Sequence, residues 1–479
     1  MRRFPDWVLK QREKGTAVYV RNDKYYLYKV KSVWDREKGR PKKVTGEYLG
    51  RLTPEGLVRP KHERLVEGIT VKEFGATEYV LSLCSDVVER LKKHYPGEWD
   101  DIVVFSIARL FYASPMKNVY HHYITSHLSD AFPEASASPK PLSDLLYSIG
   151  LGRQQAVDFM KEFVVEGGEF LAFDSTHVFS LSEDVIAATL GHNSEEEYVP
   201  QLNLSLIFSL DRMHPSFFRI VPGSVRDVSV IPASVREAGI SNATVVTDKG
   251  FYSEANVLML EGEGLRYVMP LRRNSSLVSY RRLSGDMKKL DGFFQFDERA
   301  IWHYTIRSGR KKKVVVYFDP SLKAEEEKDF LSRVSEGKAK IEEYYERQRI
   351  LGTISVITDV EEGPEAIFQL LKSRVDVEQL FDTLKNTLHA DRTYMRDDHH
   401  MQGWMFVNFV AMLFYYRLYS ELMAKKLLRK YSPHDVIVHL SRIQKLLIGG
   451  RWILSEVPKT SREISEKLGF EPMAQIGRS

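Results

Sequence analysis

The run Phe170-Leu171-Ala172-Phe173-Asp174-Ser175-Thr176-His177-Val178-Phe179 is apolar on both faces except for four consecutive polar residues in its middle. A strand of this kind lies inside a sheet covered on both sides, and it carries its polar residues as cargo. Working outward, Leu202 to Leu210 and Phe217 to Val221 follow closely enough to form a meander with it. A helix beginning near Asp227 comes next, then a short strand, Thr244 to Thr247, which ends at Asp248. A helix opening at Ser253 and a fifth strand, Tyr267 to Pro270, complete the alternation. Three adjacent strands followed by alternating helix and strand predict an α/β fold with a mixed sheet.

Between about residues 272 and 352 the pattern is interrupted. Trp302, Tyr304 and Ile306 alternate with His303, Thr305 and Arg307, and Lys313 to Phe318 makes a partner strand across the turn at Ser308-Gly309. A charged helix from Leu322 to Arg347 leads back to a strand at Gly352 to Thr358 and to a long helix starting at Pro364, a favoured first helical position. Upstream, residues 73 to 165 have helical periodicity. Residues 17 to 50 alternate apolar and polar side chains between turn signals, which predicts a small antiparallel sheet.

At 479 residues the chain has room for about three domains, and 43% hydrophobic with 28% charged residues is a globular composition. Cys84 is the only cysteine, so intrachain disulfides and cysteine zinc sites are excluded and a reducing cytosolic compartment is expected. The start carries no apolar secretory segment. The longest apolar stretch, Trp404 to Tyr416, is too short to span a bilayer. Glycine-rich nucleotide loops and nucleophile elbows are absent. The net charge of +4 is uneven: residues 1 to 64 hold 18 Lys and Arg against 8 Asp and Glu. Clusters such as Arg36, Lys38, Arg40, Lys42 and Lys43 suit a polyanion, and equally a solvated basic surface.

Three carboxylates stand out by context. Asp174 lies mid-strand among apolar neighbours, where an ionised side chain needs a cation or donor. Asp248 ends a short apolar strand, and adjacent parallel strands deliver such side chains to one edge. Glu378 lies in the helical pattern after Pro364. With about 100° per residue, Arg374, Glu378 and Lys385 share a stripe within about 40°, beside an apolar face. An amphipathic helix with a solvated flank has the same pattern, while a rise of roughly 16 Å from Arg374 to Lys385 would let the stripe follow a phosphate backbone.

Together, Phe173-Asp174-Ser175-Thr176, Thr247-Asp248-Lys249-Gly250-Phe251 and Arg374-x3-Glu378-x6-Lys385 resemble the DDE-type insertion-sequence transposases with a Y-x2-R-x3-E-x6-K signature. The string Asn386 to Arg392 followed by Gln402-Gly403-Trp404 is similar to the stretch after the glutamate in that family. Two positions depart from it: Leu371 stands where the family has tyrosine, and Trp404 where a histidine is usual.

The resemblance implies a ribonuclease-H-like mixed-sheet core, at 169–271 and 353–428, interrupted by a β-rich insertion at 272–352. Residues 1–70 become a basic β-rich DNA-binding domain, 71–168 an α-helical DNA-binding or dimerisation domain, and 429–479 a helical tail. It further implies that Asp174, Asp248 and Glu378 are catalytic and hold two Mg²⁺ ions, with Mn²⁺ a possible substitute. A hard, anionic phosphodiester suits a pair of hard cations about 4 Å apart on carboxylates. Arg374, Lys385, Lys249, Arg392, Lys42 and Lys43 would contact DNA. The expected partners are transposon-end DNA with terminal inverted repeats, target DNA and a second copy of the chain, with no membrane and a cytoplasmic, nucleoid-associated prokaryotic setting. The expected reactions are hydrolysis at the transposon end and attack of the new 3′-OH on target DNA. A nuclease without strand transfer and a catalytically silent DNA-binding relative are the alternatives.

Overall fold

A computed structural model describes residues 4–35, 39–59, 69–164, 168–191, 198–225, 229–283, 287–307, 311–374, 379 and 381–473. Arg36, Lys38, Asp227, the turn at 308–310 and Glu378 lie outside the described residues. The chain divides into two compact units, Met1–Val71 with Lys445–Ser455, and Lys72–Gln444 with Glu456–Ser479.

The first unit holds the expected antiparallel sheet, in the order β1 (Thr16–Arg21), β2 (Lys24–Asp35), β3 (Arg40–Thr53), β4 (Gly56–Val58). One face buries Val8, Leu27 and Leu52, with Phe4, Trp7, Val18, Tyr25 and Leu49 packed on them. Val8 comes from a short helix, Asp6–Lys10, that covers this face. Beyond Lys29, the last β2 residue in register with β1, strands β2 and β3 continue among the described residues as a two-stranded ribbon in which Val33 faces Lys42 and Ser32 faces Lys43. The carboxy-terminal segment, expected to be helical, instead contains a hairpin of Gln444–Ile448 with Arg451–Leu454 between the helices Pro433–Leu440 and Lys459–Leu468. Gly449 and Gly450, both at positive φ, supply its two-residue turn.

After β5 (Thr70–Glu73), the second unit is organised on a mixed sheet of ten strands among the described residues. Its centre is β6 (Phe170–Ser180), antiparallel to β7 (Gln201–Ser209), which is antiparallel to β8 (His214–Pro222). On the other side β6 pairs in parallel with β9 (Thr244–Thr247), and β9 with β10 (Arg266–Leu271). The interrupting segment does not build a sheet of its own. β11 (Gly292–Phe296), β12 (Arg299–Arg307) and β13 (Lys313–Phe318) run antiparallel in turn and join the main sheet through β14 (Thr353–Thr358) beside β10. The cause is in β13: Val314, Val315, Val316 and Tyr317 are all buried, and a strand apolar on both faces needs cover on both. β15 (Arg392–Thr393) pairs in parallel with the far end of β6. The expected helix from Leu322 to Arg347 is two, Pro320–Ser335 and Ile341–Arg347, because Gly337 takes a left-handed conformation that ends the first.

The helices of residues 75 to 161 share one unit with this sheet instead of forming a separate domain. A 27-residue helix, Asp398–Ala424, is buried along most of its length. It crosses the helix Pro139–Leu151 so closely that a Cβ on Gly403 would meet the Leu146 carbonyl oxygen at 2.0 Å. Only glycine permits that approach. Gly403 in the Gln402-Gly403-Trp404 string therefore has a packing reason.

Candidate active site

β6 and β9 are in register with Phe173 opposite Thr247, so the next residue on each, Asp174 and Asp248, stands at the same level of two adjacent parallel strands. Asp174 stays within β6, its Oδ1 accepting from the Ser175 N–H at 2.8 Å. At Asp248 the chain leaves the sheet in a tight turn, Lys249–Phe251, closed by the Phe251 N–H on the Asp248 carbonyl at 3.1 Å. Phe173 and Phe251 meet edge to face at 5.2 Å and lock the two strand ends together. The helix after the turn begins as expected: Ser253 Oγ accepts from the Asn256 N–H at 3.1 Å.

Arg374 reaches both carboxylates. Its Nη1 lies 2.7 Å from Asp248 Oδ1 and its Nη2 3.4 Å from Asp174 Oδ2. The Arg374 and Asp174 side chains are each 14% exposed and that of Asp248 is 39% exposed, so the three form a partly buried cluster. Two carboxylates held so close disfavour one another, and a planar guanidinium donating to both offsets that repulsion. Arg374 is the C-cap residue of the helix Pro364–Ser373, and the expected phosphate-facing stripe on one continuous helix is not what surrounds it. The α-helix stops before Arg374, and Lys385 belongs to a wider π-helical turn, Thr383–Thr387. A 100° per residue projection does not carry across such a change of pitch.

Lys385 is brought to β6 all the same, its Nζ 3.5 Å from Nε2 of the buried His177, three residues beyond Asp174. Exposed Arg392, on β15, covers the Phe179 ring at 5.1 Å, further along the same strand, and Lys249 is exposed directly after Asp248. Leu371, at the signature tyrosine position, packs against the core cluster that includes Val246, Val268 and Phe368. Lys42 and Lys43 are exposed on the β2–β3 ribbon of the other unit.

Sequence reading missed Arg109. It is 2% exposed on the helix Trp99–Tyr112, and it donates from Nε to Asn408 at 3.2 Å, from Nη1 to the Ser114 carbonyl at 2.8 Å and from Nη2 to the Leu388 carbonyl. Its guanidinium lies 4.4 Å over Trp404, the second departure from the family string. Burial pulls its pKa down to about 10. Arg109 thus ties the turn after Lys385 to the buried helix. The only available signal was an arginine in the run Ile102 to Phe111, otherwise apolar except for Ser106. The histidines are absorbed locally: His122 stacks on Tyr112 at 3.9 Å, His127 meets Glu78 at 3.1 Å, and His400 meets Asp397 at 2.9 Å.

The acidic pair fits a hard divalent cation on its own chemistry. Two carboxylates converge closely enough for one cationic fork to touch both, and oxygen donors suit Mg²⁺ or Mn²⁺.

Two aspartates thus stand at the same level of adjacent parallel strands in an α/β unit. The family model described as Transposase DDE domain matches residues 166–414, more than half of the chain, and the protein belongs to that family. The chain is also similar to a piggyBac transposase whose synaptic complex with hairpin DNA was solved by cryo-EM, at 11% identity and a TM-score of 0.39, over 76% of this chain and 79% of that one. No curated protein matches the chain. No helix among the described residues is long and apolar enough to cross a membrane.

Proposed function

We propose that the protein cleaves DNA at transposon ends and joins the resulting 3′-OH to target DNA. The observation that carries this reading is the convergence of Asp174 and Asp248 on the Arg374 guanidinium at the ends of adjacent parallel strands, within a chain of the Transposase DDE domain family. The order β8-β7-β6-β9-β10, with β7 alone reversed among these five strands, supports a ribonuclease-H-like core.

Asp174, Asp248 and, from outside the described residues, Glu378 would hold divalent cations. Bound there, the ions would activate the attacking oxygen and stabilise the leaving one. The rigid strand ends keep Asp174 and Asp248 at one level, so little reorganisation is needed when the phosphodiester arrives. Arg374 would turn part of its fork to a phosphate flanking the scissile bond, and Lys385, Lys249 and Arg392 would contact the backbone on either side. The ribbon carrying Lys42 and Lys43 would grip the end DNA, since the major groove admits a two-stranded β-ribbon. Two ends must be processed together, so a homodimer is the working assembly. A prokaryotic, nucleoid-associated setting belongs to the same proposal.

The test is incubation with DNA carrying the flanking inverted repeats and Mg²⁺, scored for nicks and joined products. Wild type should give both. Asp174→Asn should lose cleavage by more than about a thousandfold while binding the ends. Nicks without joining would reassign the protein as a nuclease, binding without either as a silent relative, and near-wild-type cleavage by Asp174→Asn would remove the aspartate from the chemistry.

A further inference from the structure

The sheet of the first unit has a second face, whose side chains are exposed or half-buried among the described residues. Leu27 and Tyr25 point to the core side of β2, so Lys24, Tyr26 and Tyr28 share the opposite face. Cross-strand register extends that face: Arg21 lies opposite Lys24 and Tyr19 opposite Tyr26 on β1, and Arg51 opposite Tyr26 and Tyr48 opposite Tyr28 on β3. Register shifts on either side of the Tyr28 pair let β3 send Leu49 to the core and keep Tyr48 beside Tyr28. Four tyrosine rings result in one contiguous patch. Tyr28 lies 5.2 Å from Tyr19 and 5.0 Å from Tyr48, and Tyr48 lies 6.0 Å from Tyr26. Tyr19 is 46% exposed and the other three are half-buried. Arg21, Lys24 and Arg51 border the patch. The Tyr48 hydroxyl feels Arg51: burial and the Tyr26 and Tyr28 phenols push its pKa up, while Arg51 pulls it down.

We infer that this face is a stacking platform for an unpaired DNA strand. Tyrosine rings offer flat apolar surface to bases that have lost their partners, and the flanking cations track a phosphate backbone, a combination that binds single strands with little regard to sequence. A duplex hides its base faces and could use only the cations. The charge of the border also argues against a second copy of the same face, which would set Arg21, Lys24 and Arg51 against themselves. The inference rests on the reading of the first unit as DNA-binding and adds what kind of DNA this face takes, leaving duplex to the ribbon.

The test uses the full chain and one mixed-sequence DNA of about 12 nucleotides, offered unpaired, as duplex and as RNA of the same sequence. Anisotropy gives affinity, and a 2-aminopurine in the unpaired strand reports stacking by quenching. Wild type should bind the unpaired DNA with quenching. Tyr28→Leu with Tyr48→Leu keeps apolar bulk in the strands and should weaken unpaired binding by about tenfold or more and abolish the quenching, leaving duplex binding within about twofold. Tyr28→Phe with Tyr48→Phe should retain both signals, which separates lost rings from a damaged sheet. The inference is overturned if the leucine pair binds the unpaired strand as wild type does, if it weakens duplex equally, if RNA is bound more tightly than DNA, or if only the oligomeric state changes. Wild type that binds no DNA at all would sink the broader reading of the unit, whereas wild type that binds duplex alone would sink this one.

Discussion

The end of β6 and β9 and the β2–β3 region treat charge in opposite ways. At the strand ends, Asp174 and Asp248 are half-buried and the structure supplies their counter-charge, the Arg374 guanidinium. On the first unit, Arg21, Lys24, Lys42 and Lys43 are exposed at the border of a tyrosine face or along a two-stranded ribbon. The first arrangement is preorganised and costly to disturb, because every charge there depends on its neighbours. The second is open and additive, because each cation acts through solvent on whatever polyanion arrives. The proposed chemical site and the proposed gripping surface differ in this coupling between charges more than in the number of them.

That contrast can be broken at several points. The largest effect after loss of Asp174 is expected from Arg374→Gln, which should lower cleavage on the order of a hundredfold. If the guanidinium is coupled to the carboxylates, a double-mutant cycle of Arg374→Gln with Asp174→Asn should show a coupling of about 1 kcal/mol in unfolding free energy. Additive effects in denaturant titrations would mean that the pairing contributes nothing. Arg109→Leu leaves the Leu388 and Ser114 carbonyls and Asn408 without their donor, and should lower the unfolding free energy by about 3 kcal/mol. A midpoint within error of wild type would show that these acceptors find other donors. The smallest effect is expected on the ribbon. Lys42→Ala with Lys43→Ala should make the logarithmic salt dependence of end binding shallower by up to about 2, with no change in unfolding midpoint. An unchanged slope would take the ribbon out of the interface.

Much of the site was legible because it is written locally. Asp174 inside an apolar strand and Asp248 at the end of another can be read from patterning, whereas the pairing of β9 with β6, across the intervening β7 and β8, is set by the sheet. Arg374 stood out in the sequence by its spacing but its ion-pair partners did not, since its distance to two carboxylates more than a hundred residues away depends on where the helix stops. The single helix projected through Lys385 failed for a related reason: the π-helical turn at Thr383–Thr387 changes the pitch, and no composition signal marks it. The segment at 272–352 was legible as strands and helix, whereas its joining of the main sheet depends on a free edge at β14.

By itself, then, the sequence determined the strands, the acidic pair, the family resemblance and the basic front, because periodicity, burial demand and net charge are properties of neighbouring residues. Only the tertiary structure decided that Arg374 sits between the two aspartates, that Arg109 holds the turn beyond Lys385, and that four tyrosines from three strands make one face. Each of these depends on register or on the meeting of distant segments. Their free energies come from contacts that exist only after the chain has closed loops of tens to hundreds of residues, and nothing in a local window encodes them.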